Sequence, residues 1–161
     1  MKSLYIKQKV FKITDHYPIT DEHGNTVYQV DQEFRLVGNT VHVSSADGRH
    51  LFTIDKVILS LLPKFTVQFA DGQEIAIKSN FALFHRDIDI DPDHLGLNLK
   101  GDFWGHEYSL SQRGRLVGSI SKKWLTWGDT YQLEIHDEKL EELFVAVVIA
   151  VDHLIDMARS S

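Results

Sequence analysis

Between Leu4 and Ile135 the apolar residues recur at every second position in short runs: Phe65, Val67, Phe69; Leu95, Leu97, Leu99; Tyr131, Leu133, Ile135. That period puts one side of each run in a core and the other in water, the pattern of half-buried β-strands. Turn signals separate the runs at Gly24, Gly48, Gly72 and Gly114, with Asp47 and Asp71 directly before the second and third. The first three glycines are 24 residues apart, and aligning on all four brings Val27, Leu51, Ile75 and Val117 into one column. A recurring hairpin unit accounts for that column, and the segment from about 4 to 135 predicts roughly a dozen strands.

The pattern changes at Asp137. Asp137, Glu138, Glu141 and Glu142 lead into nine consecutive apolar residues, Leu143 to Val151. Acidic groups at the start and Arg159 at the end suit the helix dipole and predict a helix over about 138–158, roughly 31 Å long. The β-branched Val147, Val148, Ile149 and Val151 make a strand the rival reading of its centre, but length and charged flanks favour the helix. Apolar all round for more than two turns, such a helix must be enclosed on every side. A helix about 10–12 Å across needs a wider barrel than eight strands provide, and roughly a dozen supply one. The expected fold is therefore mainly β with one C-terminal α-helix: a closed antiparallel β-barrel around a central hydrophobic helix. A β-sandwich or open sheet with the helix on one face is the alternative.

Composition bounds the rest. With 161 residues, 43% hydrophobic and 25% charged, the chain reads as one domain spanning 1–161 with a core of its own. Zero cysteines exclude disulfides, thiolate metal sites, thiol nucleophiles and S-acyl anchors, and suit a reducing compartment. A net charge of −6 argues against nucleic acid as a partner and against broad attraction to anionic membranes. Met1 to Val10 lacks the apolar stretch of a signal peptide, and the nine-residue apolar run is too short to span a bilayer. A cytoplasmic location is expected, with peripheral membrane contact as its variant.

Four segments carry a family resemblance: Ile6-Lys7-Gln8-Lys9; Leu59-Ser60-Leu61-Leu62-Pro63-Lys64; Gly101-Asp102-Phe103-Trp104-Gly105-His106-Glu107-Tyr108; and Ser121-Lys122-Lys123-Trp124 through Gly128-Asp129-Thr130-Tyr131. Together with the apolar C-terminal helix they make the chain resemble, end to end, the compact bacterial members of the LURP-one-related family. The resemblance implies the Tubby-like C-terminal fold, shared with Tubby and phospholipid scramblases. It implies no catalytic set and no cofactor.

A lumen filled by a helix leaves ligand binding to the exterior. Two basic stretches stand out: Lys2, Lys7, Lys9 and Lys12 before Asp15, and Arg113, Arg115, Lys122 and Lys123 with no acid from Ser111 to Gly128. Lys7, Lys9, Arg113, Arg115, Lys122 and Lys123 are the candidate ligands for an anionic headgroup or phosphate, as in Tubby domains. Adjacent Lys122 and Lys123 point to opposite faces of a strand, so one patch uses only one of them. The plainer reading is a solvated basic edge that discourages sheet pairing.

Phe103, Trp104, Trp124 and Trp127 are expected to pack, with an interfacial surface as the alternative. Asp102, Glu107 and Asp129 read as turn or backbone acceptors. The run Asp87, Asp89, Asp91 keeps a calcium site open, as scramblases carry an acidic calcium-binding segment. An EF-hand starting at Asp87 fails, because Pro92 and Asn98 stand where glycine and glutamate are needed. His106-Glu107 lacks the second histidine of a zinc-protease motif, while His85, His94 and His106 share no ligand spacing. No nucleophile elbow, P-loop or dinucleotide fingerprint is present. The expected function is a non-enzymatic binding or scaffold domain that recognises anionic lipid headgroups or phosphorylated ligands on the barrel exterior. The alternative is a protein-interaction module or homo-oligomer subunit.

Overall fold

The computed structural model describes residues 1–7, 16–34, 39–56, 64–79, 88–90, 96–125 and 128–159. Within them lie twelve strands: β1 (Lys2–Lys7), β2 (His16–Thr20), β3 (Thr26–Phe34), β4 (Asn39–Ser45), β5 (His50–Lys56), β6 (Lys64–Phe69), β7 (Glu74–Ser79), β8 (Ile88–Ile90), β9 (Leu97–Asp102), β10 (Glu107–Gln112), β11 (Arg115–Leu125) and β12 (Gly128–Ile135). A 3-10 turn, Glu138–Leu140, leads into an α-helix, α1 (Glu141–Arg159). The expected helix start at Glu138 is therefore a 3-10 turn. There the Asp137 side chain accepts from the Lys139 N–H at 3.1 Å, and the α-helical turns begin three residues later.

The hairpins come from local chemistry. Gly24, Gly48 and Gly72 have φ of +83°, +90° and +92°, which L side chains resist, and each donates its N–H to the residue three earlier. In each turn a second bond spans four residues: Asp21 to Asn25, Ser45 to Arg49 and Phe69 to Gln73. The 24-residue recurrence is thus one turn geometry used three times, a tight turn closed by a glycine bulge. The aligned column faces inward, with Leu51, Ile75 and Val117 buried and Val27 packed against the core.

All strand pairings are antiparallel, in the order β8-β7-β6-β5-β4-β3-β2-β1-β12-β11-β10-β9. The sheet curls so that β5 and β7, toward one end of that order, and β11, near the other, all approach α1. Leu143 to Ile155 is buried without a break, which accounts for its composition: no face of it meets water. The expected closure is not completed by hydrogen bonds. The terminal strands β8 and β9 lie beside each other, but no ladder joins them among the described residues, and β8 is only three residues long. Between β1 and β2 the described residues show one register pair, Tyr5 with Thr20.

Candidate functional site

The two basic stretches are divided between the ends of the sheet. Arg113 and Arg115 flank the β10–β11 turn, whereas Lys122 and Lys123 lie near the other end of β11, about 26 Å away at 3.3 Å per residue. At that second end the register aligns Lys7, Thr130 and Lys123 in one row across β1, β12 and β11. Lys122 and Trp124 occupy the opposite parity and extend beyond the buried part of the strand. Lys7, Lys122 and Lys123 are exposed. Lys9 lies outside the described residues.

Trp124 corrects the expectation of core packing, since it is 79% exposed. Its partner across the ladder is Asp129, the second residue of β12, and the neighbouring Lys122 and Lys123 are exposed as well. Phe103 does pack, fully buried, and Trp104 lies against the core. Trp127 is outside the described residues. The result is an exposed indole among three lysines on one rim, with Asp129 3.8 Å from the Lys122 ammonium.

The candidate acids have local roles. Asp102 accepts from the Gly105 N–H at 3.2 Å, and Glu107 accepts from the Lys122 N–H at 3.4 Å. Asp87 and Asp91 lie outside the described residues, as do His85 and His94, and nothing is described of the Asp89 side chain. Among the described residues no group of three or more His, Asp or Glu side chains could hold a metal ion.

Beneath the rim lies a buried polar cluster that the sequence reading missed. The tight turn after β9 puts Phe103 into the core and holds His106 at φ +55°, a backbone conformation uncommon outside glycine. The His106 ring then stacks on Tyr131 at 4.4 Å, and its Nε2 lies 3.3 Å from Asp152 Oδ1 on α1. Burial, helped by the charge of Asp152, pushes the Tyr17 and Tyr108 phenols well above their usual range, so both remain neutral. The His106 and Asp152 side chains are only 6% and 5% exposed, which closes them to a substrate and leaves them to position α1. Asp152-His153, interrupting a helix that must be enclosed, was the available signal: a charge there requires a partner from the sheet.

Residues 2–152, nearly the whole chain, match the model of the LURP-one-related family. The chain belongs to that family. This LURP-one-related chain is 30% identical over 156 residues to the uncharacterized Bacillus subtilis protein YxjI, covering 94% of this chain and 93% of that one. It also resembles the X-ray structure of a protein from Arabidopsis thaliana, with a TM-score of 0.60 at 12% identity, over 94% of this chain and 91% of that one. At such identity the likeness is one of fold. Within the family segment Gly101–Tyr108 the structure supplies a physical reason for the residues: they build the turn that delivers Phe103 and His106 to the helix.

At its other end the LURP-one-related chain anchors the start of α1. Glu141 is buried, held by Lys2 Nζ at 3.0 Å and by the Tyr28 hydroxyl, which donates to it. These contacts tie α1 to β1 and β3. Burial and the hydrogen bond to Glu141 raise the Tyr28 phenol far above its usual range.

Proposed function

We propose that this chain is a binding domain without turnover, which attaches peripherally to membranes by recognising anionic lipid headgroups at the rim formed by Lys7, Lys122, Lys123 and Trp124. The observation that carries the reading is the 79% exposure of Trp124 among three exposed lysines. An indole suits the boundary between headgroups and acyl chains, where one part is apolar and the N–H stays wet. Lys122 and Lys123 point to opposite faces, but both stand past the buried part of β11, so a patch on the rim rather than on a strand face takes both. Each lysine near an anionic surface contributes about 1 kcal/mol, so three contribute about 3 kcal/mol, too little for firm attachment unless the indole inserts as well. The overall charge of −6 is repelled by the same surface, so only the orientation with this rim toward the membrane is favoured. Arg113 and Arg115, at the far end of β11, take no part. In this reading the sheet works as a closed barrel at the cytoplasmic face, its lumen filled by α1.

The protein-interaction alternative has less support. The large apolar residues exposed among those described are Met1, Leu116 and Trp124, and the last two stand at opposite ends of β11 rather than forming one patch.

Co-sedimentation with vesicles of graded phosphatidylserine content tests the proposal. Binding should rise with anionic fraction, fall with salt, and be lost in a Lys7→Glu, Lys122→Glu, Lys123→Glu variant that still unfolds cooperatively. Trp124→Ala should weaken it, and Arg115→Glu should leave it nearly unchanged. No binding at any composition, or equal loss from Arg115→Glu, would overturn the rim assignment.

A further inference from the structure

The cavity beside the start of α1 brings together side chains of both charges. It occupies about 470 Å³ between the β4–β5 turn, the β6–β7 turn and the first turn of α1. Leu51, Phe69, Leu140 and Leu143 give it an apolar side, while Arg49, Lys139, Asp71 and Glu142 border it. Its formal lining charge is thus zero, two cations against two carboxylates. Among the described residues none of these four closes an ion pair.

The contrast with the adjacent residue is informative. Glu141 has both Lys2 and Tyr28, whereas Glu142, one position on, has neither. Burial raises the Glu142 carboxyl above its usual range; Arg49 works against that shift, and the carboxylates of Glu141 and Asp71 add to it. A lone anion entering the cavity would meet Glu142 and Asp71, and a lone cation would meet Arg49 and Lys139. A ligand carrying both charges relieves both sets, and an apolar substituent covers the four hydrophobic side chains.

We propose that this cavity binds a free α-amino acid with an apolar side chain, its carboxylate on Arg49 and its ammonium on Glu142 and Asp71. The volume lies within the usual range for small-molecule sites, roughly 300–1,000 Å³. The site is at the opposite end of the sheet from the lysine rim, so it stands or falls independently of membrane binding.

The test is titration of the full-length, ¹⁵N-labelled protein with L-leucine, following backbone amides by NMR. N-acetyl-L-leucine, which lacks the ammonium, and L-leucinamide, which lacks the carboxylate, serve as half-charged probes. Saturable shifts confined to the two turns and the start of α1 are expected, with each half-charged probe binding at least about tenfold more weakly. Arg49→Gln and Glu142→Gln should each weaken L-leucine by a similar factor while the protein stays folded. Absence of saturable shifts with L-leucine and L-phenylalanine would overturn the proposal. So would shifts centred elsewhere, or a half-charged probe binding as well as the amino acid.

Discussion

Replacing Gly118 with alanine tests how closely α1 is seated on β11. Gly118 pairs with Leu110 on one side and Ile135 on the other, in the row of positions that faces the helix. A Cβ at Gly118 would lie 2.8 and 2.9 Å from Cδ2 and Cε2 of Phe144, and 3.0 Å from the Glu134 carbonyl oxygen. Favourable carbon contacts begin near ~3.5 Å, so the methyl needs about 0.7 Å of extra room. Phe144 is fully buried and cannot rotate into solvent, so either the helix or the strand must shift. Overpacking of this kind costs about 1–3 kcal/mol, against which alanine recovers about 0.5–1 kcal/mol of the conformational cost of a strand glycine. The expected net loss is about 1–2 kcal/mol, a large share of the stability of a domain. Guanidinium unfolding followed by tryptophan fluorescence and far-UV circular dichroism would read it as a lower midpoint at unchanged slope. In a Phe144→Leu background the same alanine should cost at least about 1 kcal/mol less, because the ring it meets is gone. An alanine variant as stable as wild type, with no coupling to Phe144→Leu, would refute the close seating of the helix.

The buried cluster and the helix start make two further predictions. His106→Asn, which tolerates the left-handed backbone but loses the imidazole, should destabilise the fold by about 1–3 kcal/mol by removing the ring from Asp152 and Tyr131. Adding Asp152→Leu should restore at least about half of that loss, and a double variant weaker than the single one would remove the pair from the account. For Glu142 the sign follows from its raised carboxyl pKa: the folded state holds the proton more tightly than the unfolded state, so stability falls as pH rises above the ordinary glutamate range. Glu142→Gln should therefore be more stable than wild type at pH 7, with the difference shrinking in acid. A difference that grows in acid would contradict this. Loss of vesicle binding at the lysine rim and amino-acid binding at the α1 cavity are the tests of function.

Much of the architecture was legible along the chain. The alternation of apolar residues, the glycines 24 apart and the unbroken apolar run at Leu143 to Val151 led to about twelve strands and one enclosed helix, which the structure contains. Closure was not legible: whether β8 and β9 share hydrogen bonds depends on how far the sheet curls, and no local pattern records it. Hydrophobic character predicts burial of Trp124 only on average, while its exposure is set by how far β11 runs past its own buried part. The grouping of the lysines was equally hidden. Lys7 and Lys123 come into one row only through the pairing of β1 and β11 with β12 between them.

The sequence by itself determined what depends on neighbours along the chain: strand period, glycine turns, the helix and its need for enclosure, and the family to which the chain belongs. Backbone conformation and side-chain alternation are governed by local sterics, so a few consecutive residues suffice to read them. The tertiary structure alone decided which distant groups meet. Lys2 reaches Glu141 across 139 positions, His106 reaches Asp152 across 46, and Arg49 shares a cavity with Glu142. Those meetings follow from the order and register of twelve strands around one helix, and they set the burial and charge on which any binding by this chain depends.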